Sequence, residues 1–113
     1  MRRLKPMTVD ECAEFLRALS DRIRLKIIAL LFDREWSVTE LAHHLGLSQP
    51  HLSHHLGVLR SVGIVETRRD GKRIFYRLSP TFRERAESGE EINLGCCSLR
   101  FNLRAPAQWV ELD

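Results

Sequence analysis

Apolar residues recur at helical spacing through the first half of this chain. Val9, Cys12, Phe15, Leu16 and Leu19 form one stripe behind Thr8 and Glu11, which stand in capping-box positions, and predict a helix over about Val9 to Leu19. Ser20 or Asp21 caps a second and more apolar helix, with Ile23, Ile27, Ile28, Leu30, Leu31 and Phe32, that ends near Asp33. Ser37 with Glu40 is another capping box and opens a short helix that buries Leu41, Ala42 and Leu45 and stops at Gly46. Ser48 caps a fourth helix. Pro50 is tolerated in its first turn, where no intrahelical partner awaits the missing N–H, and Leu52, Leu56 and Leu59 face inward before Gly63 ends it.

The period then changes from 3.6 to 2. Ile64 to Arg69 and Lys72 to Leu78 flank Asp70-Gly71, a two-residue hairpin signal, and Ile74, Tyr76 and Leu78 alternate on one face. Ser79-Pro80 stops the second strand and starts a fifth helix, Thr81 to about Glu87. Beyond Gly89 the pattern weakens. A short strand is expected around Leu99 to Leu103, and the last ten residues, with Pro106 and Trp109, read as a tail or an interface arm.

The third and fourth helices, joined only by Gly46-Leu47-Ser48, form a helix-turn-helix. The fourth leaves Gln49, His51, Ser53, His54 and Gly57 outward, and with Ser48 at its start it suits the major groove. Gln pairs bidentately with adenine, while Ser and His donate to base edges or phosphates. This helix is not basic. The charge sits in the hairpin that follows, where Arg68, Arg69, Lys72 and Arg73 crowd the tip and suit the phosphate backbone or the minor groove. The expected fold is mainly α with a β-hairpin wing, a winged helix-turn-helix. Residues 1–88 would be the DNA-binding and dimerisation domain, and residues 89–113 a C-terminal segment with the adjacent cysteines.

Composition supports that reading. The 113 residues suit one small domain, and the net charge of +3 is unevenly spread. Residues 1–80 carry 14 Lys/Arg against 9 Asp/Glu, whereas residues 81–113 carry 4 against 6. The cationic part is thus the part that would meet double-stranded DNA. No stretch approaches the roughly 20 apolar residues of a membrane span, and the basic start lacks the apolar core of a signal peptide, so a cytoplasmic, membrane-free protein is expected.

Several runs together resemble the ArsR/SmtB-type repressors. They are Leu19-Ser20-Asp21-Arg22-Ile23-Arg24-Leu25-Lys26-Ile27-Ile28, Ser37-Val38-Thr39-Glu40-Leu41-Ala42, Gly46-Leu47-Ser48-Gln49, Leu52-Ser53-His54-His55-Leu56 and the wing from Arg68 to Leu78. The resemblance covers about residues 15–79. It implies a homodimer formed by the first and last helices, and repression relieved by an inducer, usually a metal or metalloid. No resident cofactor is required. The family's common metal positions are not filled here: Glu35-Trp36-Ser37-Val38-Thr39-Glu40 contains no cysteine, and residues 81–113 contain no histidine.

Three cysteines remain, Cys12, Cys96 and Cys97. An odd count with an adjacent pair is a poor disulfide framework, so free thiols are expected. Cys96-Cys97 makes a soft chelate for thiophilic ions, and Gly95 lets the backbone bend before it. The pair is similar to one near the C-terminus of some arsenic-sensing members of the family, which implies As(III) or Sb(III) as inducer. A trivalent arsenical takes three sulfurs, and Cys12 is the only other, from the same chain or its partner. On its apolar stripe Cys12 reads equally as a small buried hydrophobe. His51 and His55 are spaced i,i+4, but a metal there would block the groove. His43 and His44 read as solvated, and His55, where the family usually has His, as a DNA contact or structural residue. A redox or persulfide sensor using the same cysteines is the alternative. An enzyme is not expected, because nothing places a base beside Cys96 or Cys97 and no phosphate loop, paired acid or triad pattern is present.

Overall fold

A computed structural model describes residues 5–86 and 91–100. Helix α1 (Val9–Leu19) is followed by α2 (Arg22–Asp33), the two-residue strand β1 (Trp36–Ser37), α3 (Val38–Leu45) and α4 (Gln49–Ser61). Then come β2 (Val65–Asp70), β3 (Arg73–Leu78), α5 (Pro80–Arg85), β4 (Glu91–Asn93) and β5 (Ser98–Arg100). The far ends expected for the fifth helix, Glu87, and the last strand, Leu103, and the tail with Pro106 and Trp109, lie outside the described residues. Among the described residues no helix is long and apolar enough to cross a membrane.

The helix boundaries are set by local hydrogen bonds. At α1 the Thr8 hydroxyl accepts from the Glu11 N–H at 3.1 Å while the Glu11 carboxylate accepts from the Thr8 N–H at 2.9 Å. Ser37 and Glu40 repeat that exchange at α3. Of the two residues open for the second cap, Asp21 is the one used, its carboxylate accepting from the Arg24 N–H at 3.1 Å. Gly46 stops α3 in the left-handed region at φ 66°, and Ser48 caps α4 within two residues.

The wing is an antiparallel hairpin, with β1 on the outer side of β3. Val65 pairs with Leu78 and Asp70 with Arg73, so the loop residues are Gly71-Lys72 and not the expected Asp70-Gly71. The shift follows from backbone chemistry. Gly71 has φ 63° and no non-glycine residue among the described residues has positive φ, so only the first loop position has positive φ, as in a type II′ turn. Along the face shared by Ile74, Tyr76 and Leu78, burial rises from the tip to the base: Ile74 is 38% exposed and Leu78 is buried. Ser79 anchors that base by donating its hydroxyl to the Gly63 carbonyl at 2.6 Å.

One core runs through the described residues. It joins Phe15, Ile27, Ile28, Leu31, Leu41, Leu52, Leu56, Leu59 and Phe82, and takes in Ile92 and Leu94 from the β4–β5 hairpin. The apolar stripe of α1 divides: Cys12, Phe15 and Leu19 are buried, whereas Val9 is 81% exposed and Leu16 38% exposed.

Arg24 ties three helices together. Its Nε donates to the Ala18 carbonyl at 2.7 Å and its Nη2 to the Arg17 carbonyl at 3.2 Å, which satisfies the end of α1. Its Nη1 lies 3.1 Å from His55 Nδ1 on α4. A guanidinium has no acceptor, so His55 Nδ1 must be the unprotonated nitrogen. Burial pushes the His55 pKa down; the Asp21 carboxylate, 3.9 Å away, opposes this, while Arg24, His51 and His54 reinforce it. His55 is therefore structural, one of the two roles the sequence left open for it.

This arrangement predicts a pH dependence. An unfolded histidine titrates near 6.5. Below that pH, down to the lowered folded value, the unfolded chain binds the extra proton, so the His55 contribution is complete above about pH 6.5 and declines on acidification. Urea unfolding between about pH 7.5 and 5.5 should show falling stability, and His55→Gln should flatten the slope. Equal slopes in the two proteins would remove this role.

Candidate nucleic-acid interface and thiol site

Two sets of residues offer chemistry, and they lie on different parts of the fold. The first is the outer surface of α4 with the wing. Ser48, Gln49, His51, Ser53, His54 and Gly57 are all exposed, while Leu52, His55, Leu56 and Leu59 form the buried row. The polar face is thus free to meet a groove, as the period of the sequence indicates.

The four wing cations differ in what holds them. Arg68 is bound to Glu35 at 2.8 Å and stacks over Phe75 at 4.7 Å. Arg73 covers the same ring at 4.8 Å and reaches Glu40 at 3.9 Å. Arg69 and Lys72 are exposed and have no ion pair among the described residues. Sequence spacing could not separate these pairs, because their acidic partners, Glu35 and Glu40, lie more than thirty positions upstream and arrive through β1. Glu40 is held below the usual carboxylate range, first by the Ser37 N–H and then by the Ser37 hydroxyl and the charges of Arg34 and Arg73. It therefore stays ionised against Arg73. Arg34, not singled out from the sequence, stacks over Trp36 at 3.9 Å beside this root of the wing.

The second set is the three cysteines. Cys12, on α1, is buried; Cys96 is exposed and Cys97 half-buried in the β4–β5 turn. Their sulfurs all lie within 4.8 Å of one another in a single chain. Among the described residues this is the one group of three or more His, Cys, Asp or Glu side chains placed to share an ion. The histidines do not form such a group.

The expectation of free thiols is corrected in one respect. Cys12 and Cys96 are joined by a disulfide across a Cα–Cα distance of 6.7 Å, and Cys97 is left free. The adjacent pair is not bonded to itself, an arrangement that a trans peptide disfavours by holding the two side chains apart. The partner was illegible from spacing, because it lies 84 residues away. What brings it close is backbone pairing: the Met7 N–H donates to the Leu94 carbonyl at 3.0 Å, which sets the start of α1 beside the β4–β5 turn.

Known proteins resemble the chain over its central part. The family described as bacterial regulatory protein, arsR family, matches residues 21–67. The biofilm growth-associated repressor of Xylella fastidiosa is 51% identical over 70 residues, 62% of this chain and 61% of that protein. The matched part thus spans less than two thirds of that relative's length. The structure of HlyU from Vibrio cholerae is 42% identical, with a TM-score of 0.61, covering 66% of this chain and 84% of that one. The homodimeric winged helix-turn-helix DNA-binding domain of Mb0332 from Mycobacterium bovis is 37% identical at a TM-score of 0.61, covering 63% of this chain and 66% of that one. With a helix-turn-helix followed by a β-hairpin wing, and this degree of identity to HlyU over most of its length, the chain belongs to the arsR family of bacterial regulatory proteins.

Proposed function

We propose that this chain is a repressor of transcription that binds operator DNA as a homodimer and is released by a thiophilic inducer, trivalent arsenic or antimony, held by Cys96, Cys97 and Cys12. The observation that carries the inducer reading is the clustering of three sulfurs within 4.8 Å on one chain. Soft thiolates select such ions and reject magnesium or calcium. The relatives are named as regulators of transcription, and this chain is read as one of them rather than as an enzyme.

On the DNA side, α4 enters the major groove with Gln49, His51, Ser53 and His54, Ser48 stands at its first turn, and the wing follows the backbone. Dimerisation is supported by the outer face of α1. Val9, Ala13 and Leu16 stand at i, i+4 and i+7, exposed, as an apolar stripe without a core to cover it. The Mb0332 domain is described as homodimeric. Two copies related by a two-fold axis would set their reading helices about one DNA turn apart.

Induction requires the Cys12–Cys96 disulfide to be opened first, by thiol–disulfide exchange with a cellular low-molecular-weight thiol, two electrons passing to the protein. Arsenous acid then exchanges its three As–O bonds for three As–S bonds, each hydroxyl leaving as water with the proton given up by a cysteine thiol. The same helix that supplies Cys12 has its last carbonyls held by Arg24, whose third contact is His55 of α4. A shift of α1 on ligation would reach the reading helix by that route. Release demands that the inducer bind the DNA-free form more tightly than the bound form.

The disulfide itself supports a second reading, a redox or persulfide-responsive repressor using the same cysteines. The two are separated by mass spectrometry of the reduced protein after arsenite and after persulfide: metalloid adducts without oxidation favour the first, disulfide or polysulfide products the second.

Two outcomes are expected in DNA-binding assays. Arg69→Ala with Lys72→Ala should weaken binding to all sequences and lower the salt slope by up to about 0.9 per lost phosphate contact, whereas Arg68→Ala with Arg73→Ala should change the slope less. If the Arg69/Lys72 variant keeps its affinity and slope, the wing does not follow the backbone. Arsenite should release the reduced protein, and Cys96→Ser or Cys97→Ser alone should abolish release with DNA binding intact. Release of the Cys96/Cys97 double variant by arsenite would refute the inducer site.

A further inference from the structure

The cysteine cluster is held together by an N-terminal strap, Lys5 to Met7, that lies across the β4–β5 turn. Three contacts fix it. The Met7 N–H donates to the Leu94 carbonyl at 3.0 Å. Arg85, 9% exposed, uses both arms of its guanidinium, one on the Asn93 carbonyl at 3.0 Å and the other on the Lys5 carbonyl at 2.8 Å. It thereby bridges the hairpin and the strap from α5. Finally, Gly95 sits directly against Pro6. A Cβ on Gly95 would lie 2.5 Å from Pro6 Cα and 2.6 Å from Pro6 Cβ. Gly95 also has φ 85°, which L side chains rarely adopt. The strap runs on into the Thr8 cap of α1, and Cys12 lies in the first turn of that helix, its N–H donating to the Thr8 carbonyl at 2.9 Å. The Leu94 N–H donates to the Cys97 carbonyl at 2.9 Å, so the hairpin side of the cluster is shaped independently of the strap.

From this geometry we infer that Gly95 and Arg85 are positioning residues that dock the strap, complete a three-sulfur site within each protomer, and so set its preference for ligands taking three thiolates over ligands taking two. The inference rests on the thiophilic reading of the cysteines and adds its selectivity. Cys96 and Cys97 are neighbours in sequence and remain a two-sulfur chelate whatever the strap does. Cys12 reaches them only while the strap is docked. An inorganic trivalent ion with three exchangeable hydroxyls gains all three bonds from the docked form. A monosubstituted arsenical, whose third valence is already carbon, exchanges two As–O bonds for two As–S bonds, its oxygen leaving as water with the thiol protons, and needs only the pair.

The test uses the full-length reduced protein, with arsenite and phenylarsine oxide as probes. Gly95→Ala is expected to weaken arsenite binding by about 10- to 100-fold, the scale of losing a supporting residue at a metal site, while phenylarsine oxide affinity and operator binding stay near wild type. Arg85→Lys, which keeps the charge but cannot span both carbonyls, should shift arsenite in the same direction and guards against misfolding of the glycine variant. In a double-mutant cycle, Cys12→Ser should weaken arsenite binding in wild type and add almost nothing in Gly95→Ala. Native mass spectrometry should count one arsenic per protomer. Equal losses for the two arsenicals, or additive effects of Gly95→Ala and Cys12→Ser, would overturn the role of the strap. If wild type binds neither arsenical, the inducer reading itself falls.

Discussion

The guanidinium of Arg24 is the contact on which the arrangement of helices depends. It satisfies the two carbonyls at the end of α1 and faces the unprotonated nitrogen of His55 on α4. Its own backbone N–H is capped by Asp21, the residue that starts α2. Burying a guanidinium is costly unless its donors are matched, and here Nε, Nη1 and Nη2 each face an acceptor. The result is a part-buried polar joint at the edge of the apolar core: α1 cannot tilt without disturbing either its terminal carbonyls or the contact to the reading helix. A histidine kept neutral by burial suits this joint, because a protonated imidazole would present a second donor to Arg24.

The other organising constraint is closure of the chain on itself. Arg85, Met7 and Gly95 bind the N-terminal strap to the β4–β5 hairpin, so residues more than eighty positions apart share one small region. Ile92 and Leu94 of that hairpin lie in the same core as the helix-turn-helix. The three sulfurs thus stand at one end of α1 and the Arg24 joint at the other. A proposed sensor at the first turn and a mechanical link at the last turn is an economical layout for a helix whose outer face is apolar and exposed.

Much of the fold was legible from residues that act locally. The Thr8/Glu11 and Ser37/Glu40 boxes, the Gly46 stop and the Ser48 cap are short-range hydrogen bonds written in adjacent residue types, and each placed a helix boundary where the structure has it. The polar face of α4 followed from its leucine spacing in the same way. Long-range features were not legible. The Cys12–Cys96 bond and the pairing of Arg68 with Glu35 depend on elements brought together only by folding. Which members of the α1 stripe are buried within the chain and which, like Val9, are exposed is not legible in helical spacing, which reports that a face is apolar and not which neighbour covers it. The one-residue shift of the wing turn, from the expected Asp70-Gly71 to Gly71-Lys72, follows from the single positive φ at Gly71 with Asp70 paired to Arg73. Gly95 was noted as a bend; that it admits the backbone of Pro6 is visible only in three dimensions.

Coupling between the thiol site and the DNA surface is the central claim, and thermodynamic reciprocity tests it most directly. Arsenite affinity is measured by calorimetry on the reduced dimer, free and then saturated with operator DNA. The predicted result is weaker arsenite binding in the DNA complex, by the same factor by which arsenite weakens operator binding. Equal arsenite affinity with and without DNA would contradict it, and would leave the cysteines and the reading helix as two unconnected features of one fold.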